Sequence, residues 1–100
     1  MVTIHPIDTI ISDPDVRDGQ PMISGSRVRV VDLIASHLYR HLTADELATN
    51  FNLSLAQVYA ALAYYYQHKA DIDSVLRSEA QQAENYLQKL DEQGKLTRRD

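Results

Sequence analysis

All three prolines of this 100-residue chain (Pro6, Pro14, Pro21) and two of its three glycines (Gly19, Gly25) lie within the first 25 positions. The remaining 75 positions hold one glycine, Gly94, and no proline. Proline and glycine are the strongest local breakers of regular structure. Short strands and turns are therefore expected at the front, and helices behind. The expected class is mainly α: a short N-terminal β-hairpin, then a helix-turn-helix-like three-helix core, then a long C-terminal helix.

In the front, Ile10-Ile-Ser12 runs into an Asp-Pro turn at Asp13-Pro14. A second turn is marked by Asp18-Gly-Gln-Pro21. The β-prone runs Met22-Ile-Ser24 and Val28-Arg-Val30 follow, with Gly25 between them. Runs of this length suit a small antiparallel hairpin or sheet. Such a hairpin is marginal alone, so it must lie on the helices or pair with another subunit.

Four helices are expected behind it. The first covers about residues 31–39, with Val31, Ile34, Ala35 and Leu38 on one face. The second and third start at Thr43 and Ser54. There, Thr43-Ala-Asp-Glu46 and Ser54-Leu-Ala-Gln57 have the capping-box form, in which hydroxyl and N3 side chain each satisfy a free backbone N–H. The fourth runs over about residues 73–93, with Val75, Leu76, Ala80, Ala83, Leu87 and Leu90 in register and Gly94 as its stop. The division that follows is a domain over 1–70 and a helical extension with a polar tail over 71–100.

Residues 44–63 fit a helix-turn-helix packing frame. Leu47 and Phe51 anchor the first helix, Ala48 is the small contact residue, and Asn52 takes a turn position that asks for positive φ. The exposed face of the second helix carries Ser54, Leu55, Ala56, Tyr59, Ala60 and Ala63, with Gln57 nearby. Base edges and phosphates are met largely by Arg, Lys, Asn and Gln. No Lys or Arg lies between Arg40 and Lys69. The face therefore favours a homodimer or a partner protein over DNA. The net charge of −4, from 10 Lys+Arg against 14 Asp+Glu, points the same way. DNA then has only the edge of Arg17, Arg27 and Arg29, the last two alternating along one run. The bland alternative for that edge is a clamp, with Asp13 and Arg27 paired with each other or with turn backbone.

No catalytic constellation is recognisable, so a non-enzyme is expected, with no cofactor, metal or small-molecule substrate. The chain has no cysteine, which excludes disulfides, thiol catalysis and Cys-ligated metals. His37 and His41 have the i, i+4 spacing of a helical zinc pair but lack a third ligand. The run Tyr64-Tyr-Tyr66 reads as packing with polar tips. No apolar run spans a membrane and no secretion signal is visible, so a cytoplasmic location is expected.

Ile11-Ser-Asp-Pro14, Gly19-Gln-Pro21, Ile23 and Gly25-Ser-Arg27-Val28-Arg-Val30 closely resemble the signature of a bacterial family known as domain of unknown function 433. Leu42-Thr-Ala-Asp-Glu-Leu47, Val58 and Ala60-Ala-Leu-Ala-Tyr64 are similar to its helical part. The likeness covers about residues 9–70. Ser26 stands where the family has Thr, and His41 where a Gly usually closes the first helix. The resemblance implies a small helix-turn-helix-type protein that pairs with a PIN-like nuclease as a VapB-like antitoxin, blocks its RNase and regulates its own promoter. It implies structural roles for Asp13, Pro14, Gly19, Pro21, Gly25 and Arg27, with Arg27 also a partner contact. The extension lies beyond the likeness. Its Val75, Leu76, Ala83, Leu87 and Leu90 could lie in a toxin groove, and Lys89, Lys95, Arg98 and Arg99 could meet an acidic metal site. The alternatives are that this helix packs on its own core or in a dimer. For the whole chain they are a DNA-binding regulator without a toxin, or an adaptor that only dimerises.

Overall fold

The middle helices begin where side chains can take over for missing helical hydrogen bonds. In the computed structural model, which describes residues 1–92, both capping boxes are closed. Thr43 Oγ1 accepts the Glu46 N–H at 3.2 Å while Glu46 Oε1 accepts the Thr43 N–H at 2.8 Å. Ser54 and Gln57 repeat the exchange at 3.1 and 2.8 Å. The helices they open are α2, Ala44–Phe51, and α3, Leu55–Gln67. They are joined through Asn52 at φ 56°, ψ 51°, whose N–H reaches back to the Ala48 and Thr49 carbonyls. The remaining elements are β1 (Ile10–Ile11), β2 (Met22–Ile23), α1 (Val30–Tyr39) and α4 (Lys69–Glu92). The chain is thus mainly helical, with four helices and a two-stranded antiparallel hairpin at the front.

The hairpin pairs Ile10 with Ile23 and Ile11 with Met22. Residues 28–30 do not form a third strand. They contribute one bridge, Met22 to Arg29, and two backbone bonds, from Ile23 N–H to the Val28 carbonyl and from Val30 N–H to the Pro21 carbonyl, both 2.9 Å. Val30 is already helical, because burying it and Val31 outweighs the weak strand preference of β-branched residues.

The chain divides into two compact units, Met1–Lys69 and the part from Ala70 onward. The core of the first holds Met22, Ile23, Val30, Val31, Leu33, Ile34, Leu47, Val58, Ala61 and Tyr65. There α3 packs against α1 and α2, and β1 lies on α3. The buried face of α1 is Val30, Val31, Leu33 and Ile34, with Ala35 and Leu38 half-buried. That is broader than the expected stripe, because the turn before α1 is bonded to its first residue and encloses it on one more side.

Two boundaries differ from expectation. α4 starts four residues before position 73, since only His68 leaves helical conformation (φ −126°, ψ 37°), its N–H shared between the Tyr64 and Tyr65 carbonyls. No Gly or Pro marks that break. α1 closes with His41 at φ 58°, so a histidine holds the left-handed position that suits glycine. His41 is therefore off the helix and does not form an i, i+4 pair with His37. His37 Nδ1 instead donates to the Leu42 carbonyl at 2.9 Å, tying the end of α1 to the next loop. No helix among the described residues is long and apolar enough to cross a membrane.

Candidate functional site

The front loop is a chain of local hydrogen bonds. Asp13 Oδ1 accepts the Asp15 N–H at 2.9 Å, and the Asp13 carbonyl accepts that of Val16 at 2.9 Å, turning the chain through Pro14. Arg17, Asp18 and Gly19 then stand in succession at φ 51°, 58° and 76°. Only glycine takes such a conformation without steric cost. Gly25 (φ 81°) opens the turn between β2 and α1. Within it the Ser26 hydroxyl donates to the Ile23 carbonyl at 2.8 Å and accepts the Val28 N–H at 3.1 Å. A threonine hydroxyl would do the same.

The three arginines divide. Arg29 grips Asp32 with two bonds, Nε to Oδ2 at 3.1 Å and Nη2 to Oδ1 at 2.7 Å. Arg17 reaches the same carboxylate at 3.5 Å. Asp32, in the first turn of α1, thus gathers two arginines, and sequence reasoning missed it. The missed signal is the i, i+3 spacing of Arg29 and Asp32 at the start of a helix. Arg27 is exposed and, among the described residues, has no hydrogen-bond or ion-pair partner. Asp13 is used by the turn backbone and not by Arg27. So Arg17, Arg27 and Arg29 are not one row of free cations: Arg29 is held closely by Asp32, Arg17 touches it at 3.5 Å, and Arg27 has no internal carboxylate.

On α3, Ser54, Leu55, Ala56, Tyr59 and Ala63 are exposed and Ala60 is half-buried. Gln57 is not available to this face. Its Oε1 serves the capping box, and its Nε2 donates to the Ser24 carbonyl at 3.2 Å, fastening the front turn to the start of α3. What remains exposed is methyl groups, a leucine, a tyrosine and the Ser54 hydroxyl. Such a surface can be covered by protein, and it offers a phosphate hydroxyls but no cation.

A cleft of about 520 Å³ opens beside this face. Ile7 and Ile10 line one side, and Ala60, Ala63 and Tyr64 the other, with His5, Gln67 and His68 also at its border. The His68 ring stacks on Tyr64, 4.2 Å between centroids and 27° between planes. Tyr65 is buried, whereas Tyr64 is half-buried and Tyr66 exposed. Among the described residues no three His, Asp or Glu side chains gather as metal ligands.

In the second unit, Ile72 and Leu76 of α4 are buried and Val75 and Leu90 half-buried. Ala80, Ala83, Tyr86 and Leu87 are exposed, Tyr86 by 62% and Leu87 by 52%. Lys89 is exposed on the same helix. Gly94, Lys95, Arg98 and Arg99 lie outside the described residues.

Against this geometry, the model of a protein family described as "Protein of unknown function (DUF433)" matches residues 10–65. The match takes in the hairpin, both front turns and α1 to α3 as far as Tyr65, and stops short of α4. No curated protein and no solved structure matches the chain.

Proposed function

The chain belongs to the family described as protein of unknown function DUF433, and from that premise we propose that it is an antitoxin-like binding module. In this reading it is cytoplasmic, forms a homodimer, has no catalytic role, and neutralises a PIN-like ribonuclease. The observation that carries the proposal is a surface rich in apolar contact area and poor in reactive groups. α3 presents Leu55, Ala56, Tyr59 and Ala63 to solvent, and α4 presents Ala83, Tyr86 and Leu87. Amphipathic helices with uncovered apolar residues are suited to a partner's groove.

A PIN-like nuclease works through carboxylates around a divalent cation. A guanidinium placed there neutralises the charge and occupies the oxygens. Arg27 supports this role, because it is the cation of the front edge that no internal carboxylate holds. Autoregulation of the operon is part of the proposal only as a property of the complex. The pair α2–α3 has the packing of a helix-turn-helix, yet its outer face carries no cation. Without a basic partner it lacks the phosphate contacts that supply most affinity for DNA.

The test is co-expression with the neighbouring open reading frame. Induction of the neighbour alone should arrest growth, and this chain should relieve the arrest. Absence of arrest, or arrest that persists, removes the antitoxin reading. A chain ending at Arg77 locates the inhibitor: if it still neutralises, α4 beyond that point is not required. A gel shift on the operon's own promoter, with and without the neighbour, separates the antitoxin from a stand-alone regulator. A shift by this chain alone favours the regulator.

A further inference from the structure

Gln57 has two polar ends, and only one of them serves its own helix. Its Oε1 accepts the Ser54 N–H in the capping box, and its Nε2 donates to the Ser24 carbonyl at 3.2 Å. Ser24 follows β2 and leads into the turn of Gly25, Ser26 and Arg27. The bonds of this tip turn inward. The Ile23 N–H reaches the Val28 carbonyl at 2.9 Å, the Ser24 N–H the Thr9 carbonyl at 2.7 Å, and the Ser26 hydroxyl is engaged as both donor and acceptor. The Arg27 side chain is the exception, exposed and without a hydrogen-bond or ion-pair partner among the described residues. A turn bonded in this way presents a guanidinium from a fixed backbone. The Gln57 tie then sets that turn against the start of α3. There Leu55, Ala56 and Tyr59 are exposed, and α3 carries no acidic or basic side chain along its length.

We propose that this tip and the first two turns of α3 act as one surface for a partner protein. Arg27 takes a carboxylate of the partner, and Leu55, Ala56 and Tyr59 take an apolar patch next to that carboxylate. Gln57 is the positioning residue that fixes one half of the surface against the other. The inference rests on the partner-binding reading above and deepens it, by adding a residue that acts through Arg27. Charge complementarity selects the occupant. Arg29 and Arg17 both meet Asp32, whereas neither α3 nor any other described carboxylate neutralises Arg27. A lone cation next to apolar side chains suits one charge-assisted pair at a protein contact. Nucleic acid draws its affinity from several phosphate contacts, and this surface supplies one cation.

Gln57→Glu separates the two roles of this side chain. A carboxylate oxygen still accepts the Ser54 N–H, and negative charge suits a helix N-terminus, so α3 stays capped. An ionised carboxylate has no hydrogen to give the Ser24 carbonyl, so the tie is lost. Full-length variants are titrated calorimetrically against the purified product of the neighbouring open reading frame. Arg27→Ala should weaken binding about tenfold or more. Gln57→Glu should weaken it about three- to tenfold, the equivalent of one hydrogen bond, with its far-ultraviolet circular dichroism unchanged. The double variant should bind no more weakly than Arg27→Ala alone, because Gln57 then has nothing left to position. Glu46→Ala opens the matching capping box on α2, which holds no such tie, and should leave binding unchanged. Gln57→Glu that binds like the unmodified chain, or a double variant whose losses multiply, overturns the composite surface and leaves the antitoxin reading standing. An unmodified chain that does not bind the neighbour's product overturns both. An oligonucleotide held by the unmodified chain and released by Arg27→Ala, with no binding to the neighbour's product, assigns the tip to nucleic acid and also overturns both.

Discussion

Replacing His41 by glycine should stabilise the first unit, and the amount can be worked from the geometry. α1 ends at Tyr39, Arg40 follows at φ −103°, and His41 turns the chain at φ 58°. A β-carbon in this left-handed conformation costs about 1–2 kcal/mol. Glycine removes that cost and returns about 0.5–1 kcal/mol through the greater freedom of the unfolded chain. The imidazole is exposed and makes no hydrogen bond among the described residues, so nothing is lost with it. The net gain is about 0.5–1 kcal/mol, or roughly 2–8 °C in Tm for a unit of this size. Urea and thermal unfolding followed by circular dichroism measure it, with an unchanged m-value expected. His41→Ala keeps the β-carbon and should give no gain. Asn52→Gly should gain only a few tenths of a kcal/mol, because asparagine tolerates the same conformation at φ 56°. A fall in stability for His41→Gly would refute the reasoning. So would an equal rise for His41→Ala, which would make the imidazole the burden and not the backbone.

Further outcomes follow from the same contacts. Gln57→Ala should cost about 1–2 kcal/mol, more than Glu46→Ala, because it removes a capping interaction and also the bond to the Ser24 carbonyl; chemical denaturation of both variants gives the comparison. Asp32→Ala should lower stability by about 1 kcal/mol, since it releases Arg29 and Arg17 together. Limited proteolysis should then cut faster in the loop of residues 13–19. Leu47→Ala, at a site with no exposure, should cost about 2–5 kcal/mol and leave the first unit near its unfolding threshold. Arg27→Ala should change stability by no more than about 0.5 kcal/mol. If Arg27 enters the nuclease, the same change should raise the level of this protein needed to relieve growth arrest.

The parts legible in the sequence were those coded by neighbours three or four positions apart. Thr43 with Glu46, and Ser54 with Gln57, announce their helix starts because donor, acceptor and spacing are all local. Asn52 announces its turn for the same reason. Less was legible where an element's fate depended on what came to rest beside it. Residues 28–30 have strand composition, yet α1 begins at Val30 because the core claims that side chain. The break at His68 carries no breaker residue. Of the candidate site, the composition of the α3 face was readable, since periodicity alone separates its Ala and Tyr positions from Val58, Ala61 and Tyr65. Which charges were free was not. Arg29 and Arg17 are absorbed by Asp32, a residue with no motif around it, and Gln57 spends its second end on a carbonyl 33 positions away.

The sequence by itself determined that this is a cysteine-free, mainly helical chain with its turns at the front and two capped helices at its centre. It also determined that the exposed face of α3 would carry no cation. These follow from backbone propensity and periodicity, which act within a turn or two of helix. Only the tertiary structure decided that Arg27 stands apart from the other arginines, that Gln57 is a tie between the front turn and α3, and that the front segment and α3 line one cleft. Those outcomes depend on which groups far apart in the chain arrive within three or four ångströms of each other. Hydrogen bonds, ion pairs and burial take effect only at that range, and local sequence does not encode it.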